Sequence, residues 1–181
     1  MVNLSPTKQS FLLAEAQMLL ILNKKSEASL VLKKSYELDK TNIEALKYYV
    51  YSLIGDNKIG DVDKILDDHA KDINVIKVDP TFDKITVWAD PIIMQAMVDV
   101  KAFDKALSIA KKMVHDNPKD VKAEVSLSAV YLKSGDKWSA IEELKKVKIL
   151  QPSYAADVDK YIKDIQEGRD PSAGSDQGTA N

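Results

Sequence analysis

The fold is decided by the stretch Val121–Tyr154, which reads VKAEVSLSAVYLKSGDKWSAIEELKKVKILQPSY. Apolar residues recur at helical spacing on both sides of Gly135 and Asp136. Glycine takes the left-handed conformation that ends a helix, and aspartate caps the helix that follows. Small residues, Ser128 and Ala140, stand where two antiparallel helices would approach most closely. The stretch therefore predicts a closely packed helix pair.

The anchors of this stretch recur along the chain. Ala106 precedes Ala140 by 34 residues, and Pro118 precedes Pro152 by the same 34. Units that stack must present the same packing residues at the same offsets, so this period predicts a helical repeat. The predicted repeats cover residues 9–42, 43–76 (degenerate, with Gly60 as its small crossing residue), 87–120 and 121–154. We further expect an irregular insert at about 72–89, a capping helix at 154–167 and a disordered tail at 168–181.

The pattern of Ser128, Gly135, Ala140 and Pro152 resembles the tetratricopeptide repeat, abbreviated TPR. The resemblance implies an all-α fold, a TPR-like α-α superhelix (solenoid) of about four helix pairs with a C-terminal capping helix. Lys101 stands where the third repeat would normally have its turn glycine. The family resemblance also implies a non-catalytic scaffold that mediates protein–protein interaction through a concave groove.

In this family the first helix of each pair lines the groove, which identifies the candidate binding residues. Three tyrosines, Tyr48, Tyr49 and Tyr51, lie so close together on one predicted helix that at least one must face away from the core. An apolar groove flanked by Tyr and Gln side chains suits an extended peptide or an amphipathic helix. The candidate groove residues are Gln17, Leu20, Ile21, Lys47, Tyr51, Ile54, Gln95, Val98, Val125, Ala129 and Leu132.

Neither a catalytic site nor a cofactor or metal site is predicted. The two histidines, His69 and His115, lie beside carboxylates near the ends of predicted helices, where the helix dipole favours an imidazolium without any catalytic role. The aspartates between Asp61 and Asp68 lack the alternating ligands of a calcium loop. Phosphate loops, nucleophile elbows and zinc-binding helices are absent as motifs. We therefore expect a protein that is not an enzyme.

Composition narrows the partners further. A net charge of -2 and a pI near 5.7 disfavour a nucleic-acid surface. Apolar runs such as Met18–Leu22 are far shorter than the roughly 20 residues of a membrane span. The chain has 0 cysteines, which leaves cytoplasm and periplasm equally open.

A second resemblance concerns the order of several segments. These are Leu4–Gln9, Ser35–Asp39, Ser126–Leu132 and Tyr161–Ile165. Their arrangement is similar to the soluble C-terminal TPR region of bacterial O-antigen ligase and polymerase-like membrane proteins. That resemblance implies a domain on the extracytoplasmic face, tethered to a membrane portion outside this chain.

The second resemblance raises an alternative function, the recruitment of a glycan or protein partner for surface-polysaccharide synthesis. Tyr51, Phe82 and Trp88 are the aromatic residues that would stack on sugar rings. A third alternative is self-assembly, because an uncapped N-terminal helix can stack on another copy.

Overall fold

The structure, a computed structural model, describes residues 6–72, 80–169 and 171. Within those ranges the regular structure is helical, and no strand is present. The chain forms two compact units, Met1–Trp88 and Ala89–Asn181. None of the helices in the described part of the chain is long and apolar enough to cross a membrane.

In the described residues of the first unit, 6–72 and 80–88, there are four α-helices and one short 3₁₀ helix. They are α1 (Pro6–Ile21), α2 (Lys25–Leu38), α3 (Ile43–Gly55), α4 (Ile59–Asp72) and the 3₁₀ turn Lys84–Val87. Each α-helix packs on the next one along the chain, and the 3₁₀ turn packs on α4. The unit is therefore built from sequential helix pairs.

Between residues 89 and 169, the described stretch of the second unit, there are five α-helices. They are α5 (Pro91–Asp99), α6 (Phe103–Asp116), α7 (Val121–Ser134), α8 (Lys137–Leu150) and α9 (Ala155–Gln166), with a 3₁₀ turn Pro152–Tyr154 before α9. Again each helix packs on the next, and the contact of α7 with α8 is the most extensive. The predicted all-α fold of stacked helix pairs is confirmed.

Small buried residues lie where the helices of a pair cross. Ala140 is fully buried, and the hydroxyl of Ser128 on α7 donates a hydrogen bond of 3.0 Å to the Ala140 carbonyl oxygen on α8. Ala28 on α2 and Ala106 on α6 are also fully buried. A larger side chain at such a site would push the two helix backbones apart.

The prediction that Gly60 is the crossing residue of the second repeat is wrong. Gly60 is exposed, and a Cβ atom added there would meet nothing within 4 Å. The fully buried residue of α4 is Val62, which follows Ala28 by 34 residues and precedes Ala106 by 44. The second pair thus crosses over a branched side chain rather than over a small one.

All four turns between the helices of a pair use a left-handed residue. These residues are Asn23 (φ 58°), Asn57 (φ 59°), Lys101 (φ 61°) and Gly135 (φ 93°). In each turn, the residue that follows the left-handed one donates a backbone hydrogen bond to the carbonyl oxygen four residues before the left-handed one. In the first turn, the amide N–H of Lys24 donates to the carbonyl oxygen of Leu19 at 2.8 Å. The intervals between the four positions are 34, 44 and 34 residues. Lys101 therefore closes its turn in the same way that Gly135 does, but with the strain of a Cβ atom.

A buried glutamine fixes the link between the first two helix pairs. The side-chain amide of Gln9 on α1 donates to the carbonyl oxygens of Ser35 (2.9 Å) and Asp39 (3.2 Å) at the end of α2. Its oxygen accepts a hydrogen bond of 2.7 Å from Asn42, whose own oxygen caps α3 at the amides of Glu44 and Ala45. Gln9 thus satisfies backbone carbonyls that helix ends leave without partners.

The predicted insert at 72–89 is described only from residue 80 onward, because residues 73–79 lie outside the described part. In its described part, the Asp83 side chain accepts a hydrogen bond of 3.0 Å from the amide of Ile85. Ile85 is fully buried and Thr86 nearly so. The insert therefore contributes core residues to the first unit.

Ala140→Glu is expected to lower the free energy of unfolding by more than about 2 kcal/mol, because the helix crossing has no room for the side chain or its charge. Urea denaturation followed by circular dichroism measures the change. Ala156→Glu, at an exposed alanine of α9, is the control and should remain near the wild-type value. Equal stability of both variants would contradict the close crossing.

Lys101→Gly is expected to raise the free energy of unfolding by about 1 kcal/mol, because glycine takes a positive φ without the Cβ clash. The same denaturation experiment applies. The matched control is Lys119→Gly, at an exposed turn residue without a positive φ. A gain at Lys119 that equalled the gain at Lys101 would show that strain at Lys101 is not the cause.

Candidate binding cleft

A cleft of about 540 Å³ opens between α7, α8 and α9 of the second unit. Five of the residues that line the cleft belong to α7. They follow each other at spacings of three, one, three and one residues, so they lie on one face of that helix. These residues are Val125, Ser128, Ala129, Leu132 and Lys133. We call this opening the α7–α9 cleft.

The floor of the α7–α9 cleft is part of the hydrophobic core. Leu144 of α8 and Ile165 of α9 line the cleft and are nearly fully buried. Both belong to a cluster with Val147 and Val158, against which Leu132 packs. The floor is therefore apolar and held by side chains from three helices.

The rim of the cleft carries three cations. Lys133 lies in the last turn of α7, Lys137 begins α8, and Arg169 follows α9. The guanidinium of Arg169 donates to Asp164 at 2.9 Å through Nε and also pairs with Glu167, so its charge is compensated. Lys133 and Lys137 form no ion pair with any residue of the described ranges. The cleft thus combines an apolar floor with two lysines that have no ion-pair partner in the part of the chain that the structure describes.

Comparison with known proteins was made at three levels. No protein-family model and no curated protein matches the chain. Among solved structures, MamA from Desulfovibrio magneticus RS-1 superposes with a TM-score of 0.57 at 18% identity, covering 89% of this chain and 85% of that chain. MamA of AMB-1 gives a TM-score of 0.53 at 16% identity, covering 97% of this chain and 96% of that chain. MamA is an all-helical protein of TPR type.

This chain has a TPR-type fold. At 16% to 18% identity the likeness concerns the fold alone. The comparisons give no support to the resemblance to O-antigen ligase-like proteins.

Three of the predicted groove residues meet in the α7–α9 cleft of the TPR-type fold. Val125 and Ala129 are exposed, and Leu132 is half-buried between the cleft and the core. The sequence did not indicate the cleft's two free lysines or Tyr161. Their signal is weak, because each lies at a helix end or on the capping helix, where charged and amphipathic residues are ordinary.

The predicted groove residues of the first unit have mixed environments. Gln17 donates a hydrogen bond of 3.0 Å to the hydroxyl of Tyr48. Ile21 is 76% exposed, whereas Ile54 is fully buried and has no surface to offer a partner. Leu20, Lys47 and Tyr51 are half-buried.

The two predicted groove residues on α5 lie outside the α7–α9 cleft. Gln95 is exposed and donates a hydrogen bond of 2.7 Å to Asp99, one turn later on the same helix. Val98 is half-buried. Neither of these side chains contributes to the lining of the cleft.

The three aromatic residues proposed as sugar-stacking platforms, Tyr51, Phe82 and Trp88, are all half-buried. Stacking on a sugar needs an open ring face. The exposed aromatic residues in the described ranges are others, and of these Tyr161 borders the α7–α9 cleft.

The histidines have ordinary structural partners. His69 is buried in the first unit, with its Nε2 atom 2.9 Å from the hydroxyl of Tyr36, and Tyr36 stacks on Tyr49. His115 lies at the surface, 3.3 Å from the carboxylate of Asp116. Among the described residues, no three His, Asp or Glu side chains are grouped in a way that could hold a metal ion.

A buried carboxyl pair joins α7 to α8. Glu124 is only 4% exposed and lies near Glu143, which in turn pairs with Lys146. Burial, followed by the neighbouring carboxyl group of Glu143, raises the pKa of Glu124 to about 7.

The stability of the chain is therefore expected to depend on pH through Glu124. The folded pKa of about 7 exceeds the ordinary value of 4.5, so this stabilisation is complete below pH 4.5 and is lost as pH rises through 7. In the wild type, the free energy of unfolding should therefore decline between pH 5 and pH 8. Glu124→Gln is neutral at both pH values and should remove about 1 to 3 kcal/mol of that decline. Urea denaturation at both pH values measures it.

The control for this experiment is Glu142→Gln, which changes a partly exposed carboxylate of α8 that pairs with Lys145. It should leave the difference between pH 5 and pH 8 as in the wild type. A decline of wild-type size in Glu124→Gln would contradict the assignment.

Proposed function

We propose that the chain is a non-catalytic scaffold that binds a segment of another protein in the α7–α9 cleft. The observation that carries this proposal is the convergence of exposed residues of α7, Val125 and Ala129, with Tyr161 of α9 over a buried apolar floor. Stacked helix pairs expose extended surfaces of this kind, so the TPR-type fold supports the proposal.

The cleft suits a segment with apolar anchors. Leu132 offers apolar contact beside the nearly buried Leu144 and Ile165, and the small side chain of Ala129 leaves room above them. Tyr161 adds an aromatic ring with a polar tip, the type of residue that contributes strongly at interfaces. An amphipathic helix or an extended peptide matches this lining.

The charges of the rim select among such segments. Lys133 and Lys137 have no carboxylate partner in the described ranges, so a carboxylate of the bound segment would pair with them. Such rim pairs lie near solvent, so they contribute to binding rate and selectivity more than to affinity. We therefore expect a partner segment that combines apolar anchors with acidic residues.

A glycan-recruiting function was the alternative raised by the sequence. No comparable observation favours it, because Tyr51, Phe82 and Trp88 are half-buried. The protein-binding function is therefore the one proposed.

Selection of a displayed peptide library against the purified chain tests the proposal. Enriched peptides are expected to carry apolar residues beside Asp or Glu. Isothermal titration then compares the wild type with Ala129→Arg, which fills the cleft, and with Ala156→Arg, at an exposed alanine of α9 outside the cleft. We expect Ala129→Arg to weaken binding at least about tenfold by steric exclusion, and Ala156→Arg to bind like the wild type.

A charge-reversal variant, Lys133→Glu with Lys137→Glu, tests the rim. Its affinity for an acidic peptide should fall, and the salt dependence of binding should largely disappear. Peptides whose affinity is unchanged by Ala129→Arg would place binding outside the α7–α9 cleft and refute the proposed site.

A further inference from the structure

Helix α1 has two apolar faces on opposite sides. On the inner face, Leu13 and Ala16 are buried in the core of the first unit. On the outer face, Phe11, Met18 and Ile21 are 71%, 58% and 76% exposed. A helix at the surface of a protein normally has a polar outer face. The outer face of α1 is therefore built like a face that packs against another helix.

The spacing of the outer residues is that of a helix-packing seam. Phe11, Ala14, Met18 and Ile21 follow each other at intervals of three, four and three residues. This is the a/d pattern by which side chains of one helix fit between those of a neighbouring helix. We call these four residues the α1 seam.

The α1 seam is symmetric about its centre. Phe11 and Ile21 are equidistant from residue 16, and so are Ala14 and Met18. In an antiparallel pair of α1 helices related by a two-fold axis, Phe11 meets the partner's Ile21, and Ala14 meets the partner's Met18. The smallest residue of the seam thus faces a long, flexible one, which fills the space without a clash.

Antiparallel pairing also places the positive N-terminal end of one helix beside the negative C-terminal end of the other. The helix itself has no acidic residue in its first turn and no basic residue in its last turn to compensate these ends. A parallel pair would instead bring like ends together. The antiparallel arrangement is therefore favoured by both packing and electrostatics.

The area available is near the minimum for a specific dimer. The exposed parts of Phe11, Met18, Ile21 and the adjacent Leu22 amount to about 500 Å² in each copy, so a pair that covered all of them would bury at most about 1,000 Å². Interfaces of that size are weak or transient. We propose that a second copy of this chain binds antiparallel along the α1 seam and forms a weak, concentration-dependent two-fold dimer.

The exposed face of the capping helix α9 differs from that of α1. Its exposed residues are mainly charged or polar, such as Asp157, Lys160 and Lys163, and its largest exposed apolar side chain is Tyr161, at the α7–α9 cleft. The proposed dimer therefore uses α1 and leaves the proposed protein-binding site to the second unit.

Sedimentation velocity of the full chain from micromolar to near-millimolar concentration tests the pairing. The wild type should pass from monomer to dimer and no further. Met18→Glu places a charge at the centre of the seam and should raise the dimer dissociation constant at least about tenfold. Ile149→Glu, at a residue of α8 that is 79% exposed and outside the seam, should dimerise like the wild type. Circular dichroism verifies that both variants keep their helices.

Disulfide trapping tests the relative orientation of the two α1 helices. The chain has 0 cysteines, so an introduced cysteine can form a disulfide only with another introduced cysteine. When the single variants Ala14→Cys and Met18→Cys are mixed and oxidised, the mixed disulfide should form faster than either homodimer. A preference for the Ala14→Cys homodimer would indicate parallel helices and overturn the proposal.

Other results would also overturn it. These are a monomer at every concentration, a dimer equally stable in Met18→Glu, or growth into open-ended oligomers. A monomer that co-sediments with phosphatidylcholine vesicles and loses this property in Met18→Glu would assign the seam to a membrane surface instead.

Discussion

The close crossing of paired helices is the constraint on which the rest of this structure depends. A fully buried residue lies at each crossing, Ala28, Val62, Ala106 and Ala140. A helix pair of this kind cannot shield its apolar surface alone, so within each unit the neighbouring pairs pack on one another, α2 on α3 and α6 on α7. The crossings therefore determine which faces of each helix are buried and which remain free for a partner.

Both proposed binding surfaces lie on helix faces that the packing of the pairs leaves exposed. In the second unit, α7 buries Leu127 and Val130, while its other side borders the α7–α9 cleft with Val125 and Ala129. In the first unit, α1 buries one apolar face and leaves the α1 seam in solvent. Removing apolar surface from water is favourable. A partner that covers apolar surface left exposed by the fold therefore gains binding free energy.

Buried polar groups tie the helices together at a few positions. Gln9 holds the end of α2 and the cap of α3, and Glu124 of α7 is buried near Glu143 of α8. Gln9 is stable there because its partners are in place, since a buried polar group without a hydrogen bond is costly. Neither contact follows a periodic pattern, so neither was visible in the sequence.

Sequence periodicity by itself determined the all-α class, the small residues Ala106 and Ala140 at the crossings, and the turn at Gly135. Periodic packing depends on local spacing, which a sequence displays directly. It misplaced the crossing of the degenerate second repeat at Gly60, because glycine looks small in a sequence whether it is buried or not. The family resemblance included Ile54 among the groove residues, although that side chain is fully buried.

Only the tertiary structure decided that Lys133 and Lys137 stand over an apolar floor and that the outer face of α1 is bare. Each of these depends on which residues from separate helices come together. Packing between helices sets burial and charge environment, and a linear pattern of residue types does not contain that information.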